Sequence, residues 1–202
     1  MPTALYRFIV ALLLLVPLAA HADDASDFAA ANNSQQAQLL ESWAAQPAPA
    51  RIELINSLQQ GQISVDGQTK TLRLNNRLRG LIDTALASHQ LLAADPKLRL
   101  SAAQQLQKSA KPAQLKFLDQ QLASETDSDV HAALSLALAN LQLVDPDPAV
   151  RLAAVRLLGE TGEPLARTRL ETLLQPGVET DATVHTAAET SLAQVKRKLL
   201  IG

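Results

Sequence analysis

The stretch that decides the fold is DPDPAVRLAAVRLLGE, residues 145–160. Two Asp-Pro pairs lead into Val, Ala, Leu and Arg, and Gly159 stands near the end. Asp147 can cap a helix by accepting a bond from a free backbone N–H. Pro148 suits the first helical position, where no N–H is needed. Val150, Ala154, Leu157 and Leu158 then fall on one helical stripe. The stretch has close variants: DPKLRLSAAQQL (95–106), DSDVHAALSLAL (127–138), DPAVRLAAVRLL (147–158) and DATVHTAAETSL (181–192). Each starts on Asp, has Leu or Val at the fourth place and Arg or His at the fifth, and closes on Leu. A helix of this kind cannot bury its stripe alone, so neighbours of the same kind must cover it.

Differently patterned helices lie between some copies: Pro112–Ala123, with Leu115, Leu118 and Leu122 inward, and Pro164–Leu174, with Leu165, Leu170 and Leu173 inward. The copies open at Asp95, Asp127, Asp147 and Asp181, so the steps between them are unequal. The first and third steps suit a helix-pair repeat. The middle step, from Asp127 to Asp147, leaves room for one helix only, so the array is out of phase there.

Upstream of Asp95 the pattern is less regular. Asp23 to about Asn33 is polar, Ala-rich and expected to be loose. Ser34–Ala45 reads as a helix with Leu39, Leu40, Trp43 and Ala44 on one face, broken by Gln46-Pro47-Ala48-Pro49. Ala50–Gln60 is a second helix with Ile52, Ile55 and Leu58 inward, stopped by Gly61. In GQISVDGQTKTLRL (61–74), Asp66-Gly67 is a hairpin signal. With Val65 opposite Gln68, residues Ile63, Val65, Leu72 and Leu74 share one face, and Ser64, Thr69, Thr71 and Arg73 the other. Arg77–Ala94 returns to helix, with Leu78, Leu81, Ile82, Ala85 and Leu86 inward.

Composition agrees. Apolar residues are 47% of the 202 and aromatics only 2%, so the core is built from Leu, Ala, Ile and Val, with Leu and Ala as strong helix formers. The expected fold is all-α: a HEAT-like helical-repeat solenoid with one small β-hairpin near residues 62–74. Residues 1–22 read as a signal peptide, 23–94 as an N-terminal helical region with the hairpin, and 95–202 as the helical repeats. Residues 34–200 are expected to form one continuous domain.

The segment 1–22 belongs to another regime. Arg7 precedes the apolar run Phe8–Val16, then come Pro17 and the small-x-small site Ala20-His21-Ala22 before Asp23 and Asp24. This is the layout of a secretory signal with cleavage after Ala22. Losing Arg7 moves the formal net charge from −2 to −3. That balance argues against a nucleic-acid partner, whose footprint is a basic face. The chain has no Cys, which excludes disulfides and thiolate chemistry.

No catalytic, cofactor or metal site is read from the chain. His21 leaves with the signal, and His89 falls in no motif. His131 and His185 stand at the fifth place of the repeat, where Arg99 and Arg151 stand in the other copies, so that place reads as a partly exposed helix face. Asp95, Asp127, Asp147 and Asp181 read as caps. Two clusters are candidates for binding. Arg73, Arg77 and Arg79 lie close together in sequence beside the hairpin, as a possible partner-binding patch or a clip at one end of the array. Lys196, Arg197 and Lys198 are a possible juxtamembrane cluster, or a favourable charge at the last turn of a helix.

Three stretches carry a family resemblance: TLRLNNRLRGLIDTALASHQLLAADPKLRLSAAQQLQKSAKPAQLKFLDQQL (71–122), DPDPAVRLAAVRLLGETGEPLARTRLETLL (145–174) and TAAETSLAQVKRKLL (186–200). They resemble the N-terminal extension of the bacterial urea ABC-transporter permease, a subunit related to branched-chain amino acid permeases. The resemblance covers essentially the whole chain, signal included. The repeats also resemble the HEAT-like repeats of phycobilin lyases in a generic way. The first resemblance implies an exported helical interaction domain ahead of a membrane-spanning body, with that body or a solute-binding protein as partner and no cofactor. In that family the body begins just past the position of Gly202. A free periplasmic scaffold unrelated to transport is the other reading, and a lyase-like enzyme is disfavoured by the missing Cys and polar clusters.

Overall fold

The structure, a computed structural model, describes residues 19–201, with side chains from Asp24 onward. The signal-like segment up to residue 18 therefore lies outside the described residues. The elements are α1 (Ala19–Ala30), α2 (Asn33–Ala45), α3 (Ile52–Gln59), β1 (Gln62–Val65), β2 (Gln68–Thr71), α4 (Asn76–Gln90), α5 (Pro96–Ser109), α6 (Leu115–Ser124), α7 (Ser128–Gln142), α8 (Pro148–Gly159), α9 (Pro164–Leu173) and α10 (Ala182–Ile201). Short 3₁₀ turns, Pro49–Arg51 and Pro112–Gln114, lead into α3 and α6. The fold is mostly helical, with one two-stranded antiparallel sheet among the described residues.

The four predicted Asp caps all form. Asp95, Asp127, Asp147 and Asp181 each accept a backbone N–H two residues on, at 2.8–3.0 Å. Asn32 and Asn75 do the same work for α2 and α4. Together these caps reveal a longer period than the Asp-led copies suggest. One and the same spacing separates Asn32 from Pro49, Asp95 from Pro112 and Asp147 from Pro164. The third helix of each group then starts after Asn75, Asp127 or Asp181. The described chain thus contains three successive helix groups: α2–α3–α4, α5–α6–α7 and α8–α9–α10. The Asp-led copies are of two kinds, first helices (α5, α8) and third helices (α7, α10). This resolves the short step from Asp127 to Asp147, which is the passage from one group to the next.

Burial follows the same positions. At matching places after the first cap stand Leu40, Ala103 and Val155, all fully buried. On the third helices, Leu78, Val130 and Val184 occupy one matching place and Ile82, Leu134 and Ala188 another, all 0–1% exposed. Each group has its own core cluster, and the second and third clusters include the end of the preceding helix. Ala87 and Leu91 of the α4 end pack in the second cluster, and Ala139 and Leu143 of the α7 end pack in the third. First and third helices of a group pack against each other: α2 on α4, α5 on α7, α8 on α10.

The hairpin register is as expected: Val65 pairs with Gln68 and Ile63 with Lys70. Asp66 and Gly67 both have positive φ, 51° and 74°, the conformation a tight two-residue turn of this type requires. Ile63 is fully buried, and Val65, Leu72 and Leu74 pack beside it in the first cluster. Ser64 and Thr69 meet on the other face at 3.3 Å.

One expectation is overturned. Residues 23–30 are not loose; they belong to α1. Ala25 and Phe28 are buried in the first cluster, with Phe28 stacked on Trp43 at 5.8 Å between ring centroids. Two apolar residues within a polar, Ala-rich run are a weak sequence signal. Trp43 of α2 and Ile63 of the hairpin supply the apolar surface that makes α1 dock.

Gly159 marks a close helix approach. A Cβ there would lie 2.6 Å from Ser191 Oγ, 2.7 Å from its Cβ and 3.0 Å from its Cα. Ala is ordinarily favoured over Gly in a helix by up to about 1 kcal/mol. Here overpacking against a rigid neighbour reverses the sign, at about 1–3 kcal/mol. Gly159→Ala is expected to lower the urea midpoint of unfolding, and adding Ser191→Gly is expected to recover part of the loss. Additive effects of the two changes would show that α8 and α10 do not touch there.

Candidate functional site

Arg73 follows β2, and Arg77 and Arg79 sit at the start of α4; all three are exposed. Arg77 leans toward Glu41 of α2, with 3.9 Å between Nη2 and Oε1 and both side chains open to water. Such a pair contributes little. Arg79 instead borders a small cavity of about 110 Å³ with Leu58, Leu74 and Asp83. Hence the two α4 arginines turn toward different elements.

The C-terminal basic cluster is exposed, and two of its three cations have partners within the chain. Lys196 pairs with Glu171 of α9 at 3.1 Å. Lys198 donates to the backbone carbonyl of Glu160, the residue that ends α8. These lysines thus reach α8 and α9, the two partners of α10, while Lys198 also stands in the last turn of α10. Arg197 is exposed, and Leu200 and Ile201 beyond it are 87% and 80% exposed. The backbone of Ala22 continues α1, and its side chain lies outside the described ones.

The most ordered charge chemistry joins Arg99 and Arg151, from the fifth repeat place, to two glutamates that the sequence reading did not single out. Arg99 Nε and Nη2 donate to Glu125 Oε2 and Oε1 at 2.7 and 2.9 Å. Arg99 Nη1 donates to the carbonyls of Ala93 and Ala94. Glu125 Oε1 also accepts from the backbone N–H of Thr126 and Asp127, both at 2.9 Å. The third group repeats the arrangement. Arg151 Nε and Nη2 donate to Glu179 Oε2 and Oε1 at 2.7 and 2.8 Å, and its Nη1 donates to the carbonyls of Asp145 and Pro146. Glu179 Oε1 accepts from Asp181 N–H at 2.8 Å.

Each clamp joins the loop before the first helix to the loop before the third. The carboxylates are 6% and 1% exposed, so these are not solvent-washed surface pairs. The guanidinium hydrogen bonds, opposed by burial and helped by the backbone N–H groups, hold both carboxyls down to about 2. Carboxylates this acidic and this fully bonded stay ionised near neutral pH and are poorly suited to general acid work.

The fifth repeat place is therefore not one kind of site. His131 is exposed, and His185 is half-exposed and lies 3.7 Å from Glu189. That matches a helix-face position. Arg99 and Arg151 are also partly exposed residues of α5 and α8, but unlike the histidines they act as tethers between loops. The sequence held a signal for this, the tripeptide Glu-Thr-Asp at 125–127 and again at 179–181, ending on each third-helix cap.

His89 is buried at 3% exposure, with Nδ1 2.7 Å from the carbonyl of Ala85 and no hydrogen-bond partner for Nε2. Burial lowers its pKa, a hydrogen bond to Ala85 works against the shift, and Arg51 adds to it. Nearby, Gln114 donates to Ser88 Oγ at 2.7 Å, both buried, joining the second group to the first. Among the described residues no group of three or more His, Asp or Glu is placed to hold a metal ion. No described helix is long and apolar enough to cross a membrane.

The architecture and these surfaces define a mostly helical protein whose ordered charges tie its loops together. No protein-family model matches the chain, and no curated protein matches it.

Proposed function

We propose that this chain is an exported, HEAT-like helical-repeat interaction module, the periplasmic extension of a urea-type ABC-transporter permease. The observation that carries the module reading is the sharing of helix ends between cores. Ala87 with Leu91, and Ala139 with Leu143, stand at the same places of successive groups and shield the group that follows. Solenoids are held together in this way, by nearest-neighbour contacts. They offer long surfaces to protein partners rather than a single deep cleft. The transporter assignment rests on the long-run resemblance of residues 71–122, 145–174 and 186–200, and the export on the Arg7, Phe8–Val16 and Ala20–Ala22 layout.

In this reading the exposed Arg73, Arg77 and Arg79, spread over different sides of the hairpin and α4, add a positive field that attracts acidic residues of the solute-binding protein or of the outer face of the permease. Calorimetry of the whole chain against each candidate partner tests it. Replacing all three arginines by Glu is expected to weaken binding about tenfold or more with melting unchanged, since exposed charges act on association. Absence of binding to either partner, or binding indifferent to the triple change, would remove the proposal.

A further inference from the structure

We propose that the open groove between α8 and α10 is a docking seat for a proline-led helical turn of a partner protein, with an acidic residue directly before the proline. The chain shows how such a seat is filled. At the first group the 3₁₀ turn Pro112–Gln114 packs on α2, at the mouth of the α2–α4 pair. Gln114 is 1% exposed; its Nε2 donates to Ser88 Oγ at 2.7 Å and its Oε1 accepts from Lys111 N at 2.8 Å. What remains is a gap of about 260 Å³ faced by Glu41, Thr84 and Lys111. In the second group Gln107 and Asn140, at the places of Ala44 and Ser88, span the helix pair: Gln107 donates to Ala133 O and Asn140 to Gln107 O.

The third group has neither filler among the described residues. Its groove measures about 810 Å³, and Arg156, Ala187, Thr190 and Gln194 stand where Glu41, Leu81, Thr84 and Ser88 stand in the first group. Gln194 offers an amide where Ser88 offers a hydroxyl to the incoming side chain. At the place of Glu41 the charge is inverted. Glu41 shares its gap with Lys111, the residue before Pro112, so the complement of Arg156 at the same place is a carboxylate before the proline. Glu160 lines the groove as well, one helical turn beyond Arg156. The inference rests on the interaction-module reading and uses a different surface, so it can fail while the hairpin arginines still bind, and the reverse.

The probe is a labelled peptide of the chain's own residues 108–123 carrying Lys111→Glu, titrated into the whole chain by fluorescence anisotropy, with amide shifts mapping the seat. Saturable binding with shifts in α8 and α10 is expected. Arg156→Glu, an exposed change, is expected to weaken it about tenfold and to favour the unaltered Lys111 peptide instead. No saturable binding, shifts confined to α2 and α4, or affinity indifferent to Arg156 and to the peptide charge would each overturn the proposal.

Discussion

Phe28→Ala is expected to destabilise the chain by about 3 kcal/mol, the range for removing a fully buried aromatic side chain. Phe28 is 0% exposed and stacks on Trp43, and its carbonyl accepts from the buried Gln36 Nε2 at 3.0 Å. Arg51 closes the same corner. Its Nε meets Asp24 Oδ2 at 2.7 Å, and its guanidinium lies 5.6 Å from the Trp43 ring centroid. Removing the ring leaves a void that the hairpin and α2 cannot collapse into without losing Ile63 or Leu40. Urea unfolding reads the loss, and limited proteolysis between Ala30 and Asn33 reads undocking of α1. Phe28→Leu is expected to keep most of the stability. If Phe28→Ala cost no more than an ordinary surface change, about 0.5 kcal/mol, α1 would not be part of the packed core.

The second large effect belongs to Glu179. Glu179→Ala leaves Arg151 with its carbonyl contacts and the more distant charges of Asp181 and Asp145 but without its bonded carboxylate, and losing a charge-assisted hydrogen bond of this kind costs about 2 kcal/mol. The same group sets a pH dependence. The folded carboxyls of Glu125 and Glu179 lie at about 2, below the ordinary 4.5. A carboxyl with a depressed folded pKa contributes stability that is fully present above its unfolded value and is lost as pH falls through the folded one. Stability is therefore expected to drop between about pH 5 and pH 2, by on the order of 1 kcal/mol per pH unit for each group at most. Glu125→Gln with Glu179→Gln is expected to start less stable at pH 7 and to lose less on acidification. Urea midpoints at pH 6, 4 and 2.5 measure it. Parallel curves for parent and double variant would show that the clamps are not what the acid breaks.

Much of the fold is legible along the chain because it rests on local signals. The Asp caps, the Pro starts, the Asp66-Gly67 turn and the 3.6-residue stripes act within one or two turns of backbone. Several helix boundaries accordingly agree closely, as for Ser34–Ala45 against α2 and Pro164–Leu174 against α9, whereas the helix expected over Arg77–Ala94 ends already at Gln90, where α4 gives way to a turn. The true period was harder to see. First and third helices open on the same Asp-led pattern, and the first group hides its kinship behind Asn caps and an inserted hairpin.

The candidate sites divide along the same line. Arg73, Arg77 and Arg79 are neighbours in sequence, yet Arg77 and Arg79 turn to different elements because α4 rotates them apart. Lys198 does stand in the last turn of its own helix, and folding in addition engages it with the carbonyl of Glu160 and Lys196 with Glu171. Arg99 meets Glu125, and Arg151 meets Glu179, across an entire intervening helix, so no helical or strand period joins them.

By itself the sequence determined which segments after α1 are helical, about where they begin and which stripe of each is apolar, since caps, prolines and side-chain spacing act within a few residues. Tertiary structure alone decided that α1 forms a helix and joins the core, that Gly159 lets α8 meet α10, that arginine and glutamate close the loops of the second and third groups, and that the groove between α8 and α10 stays open. Those outcomes depend on surfaces and charges supplied by distant parts of the chain, and no local pattern carries the distance between them.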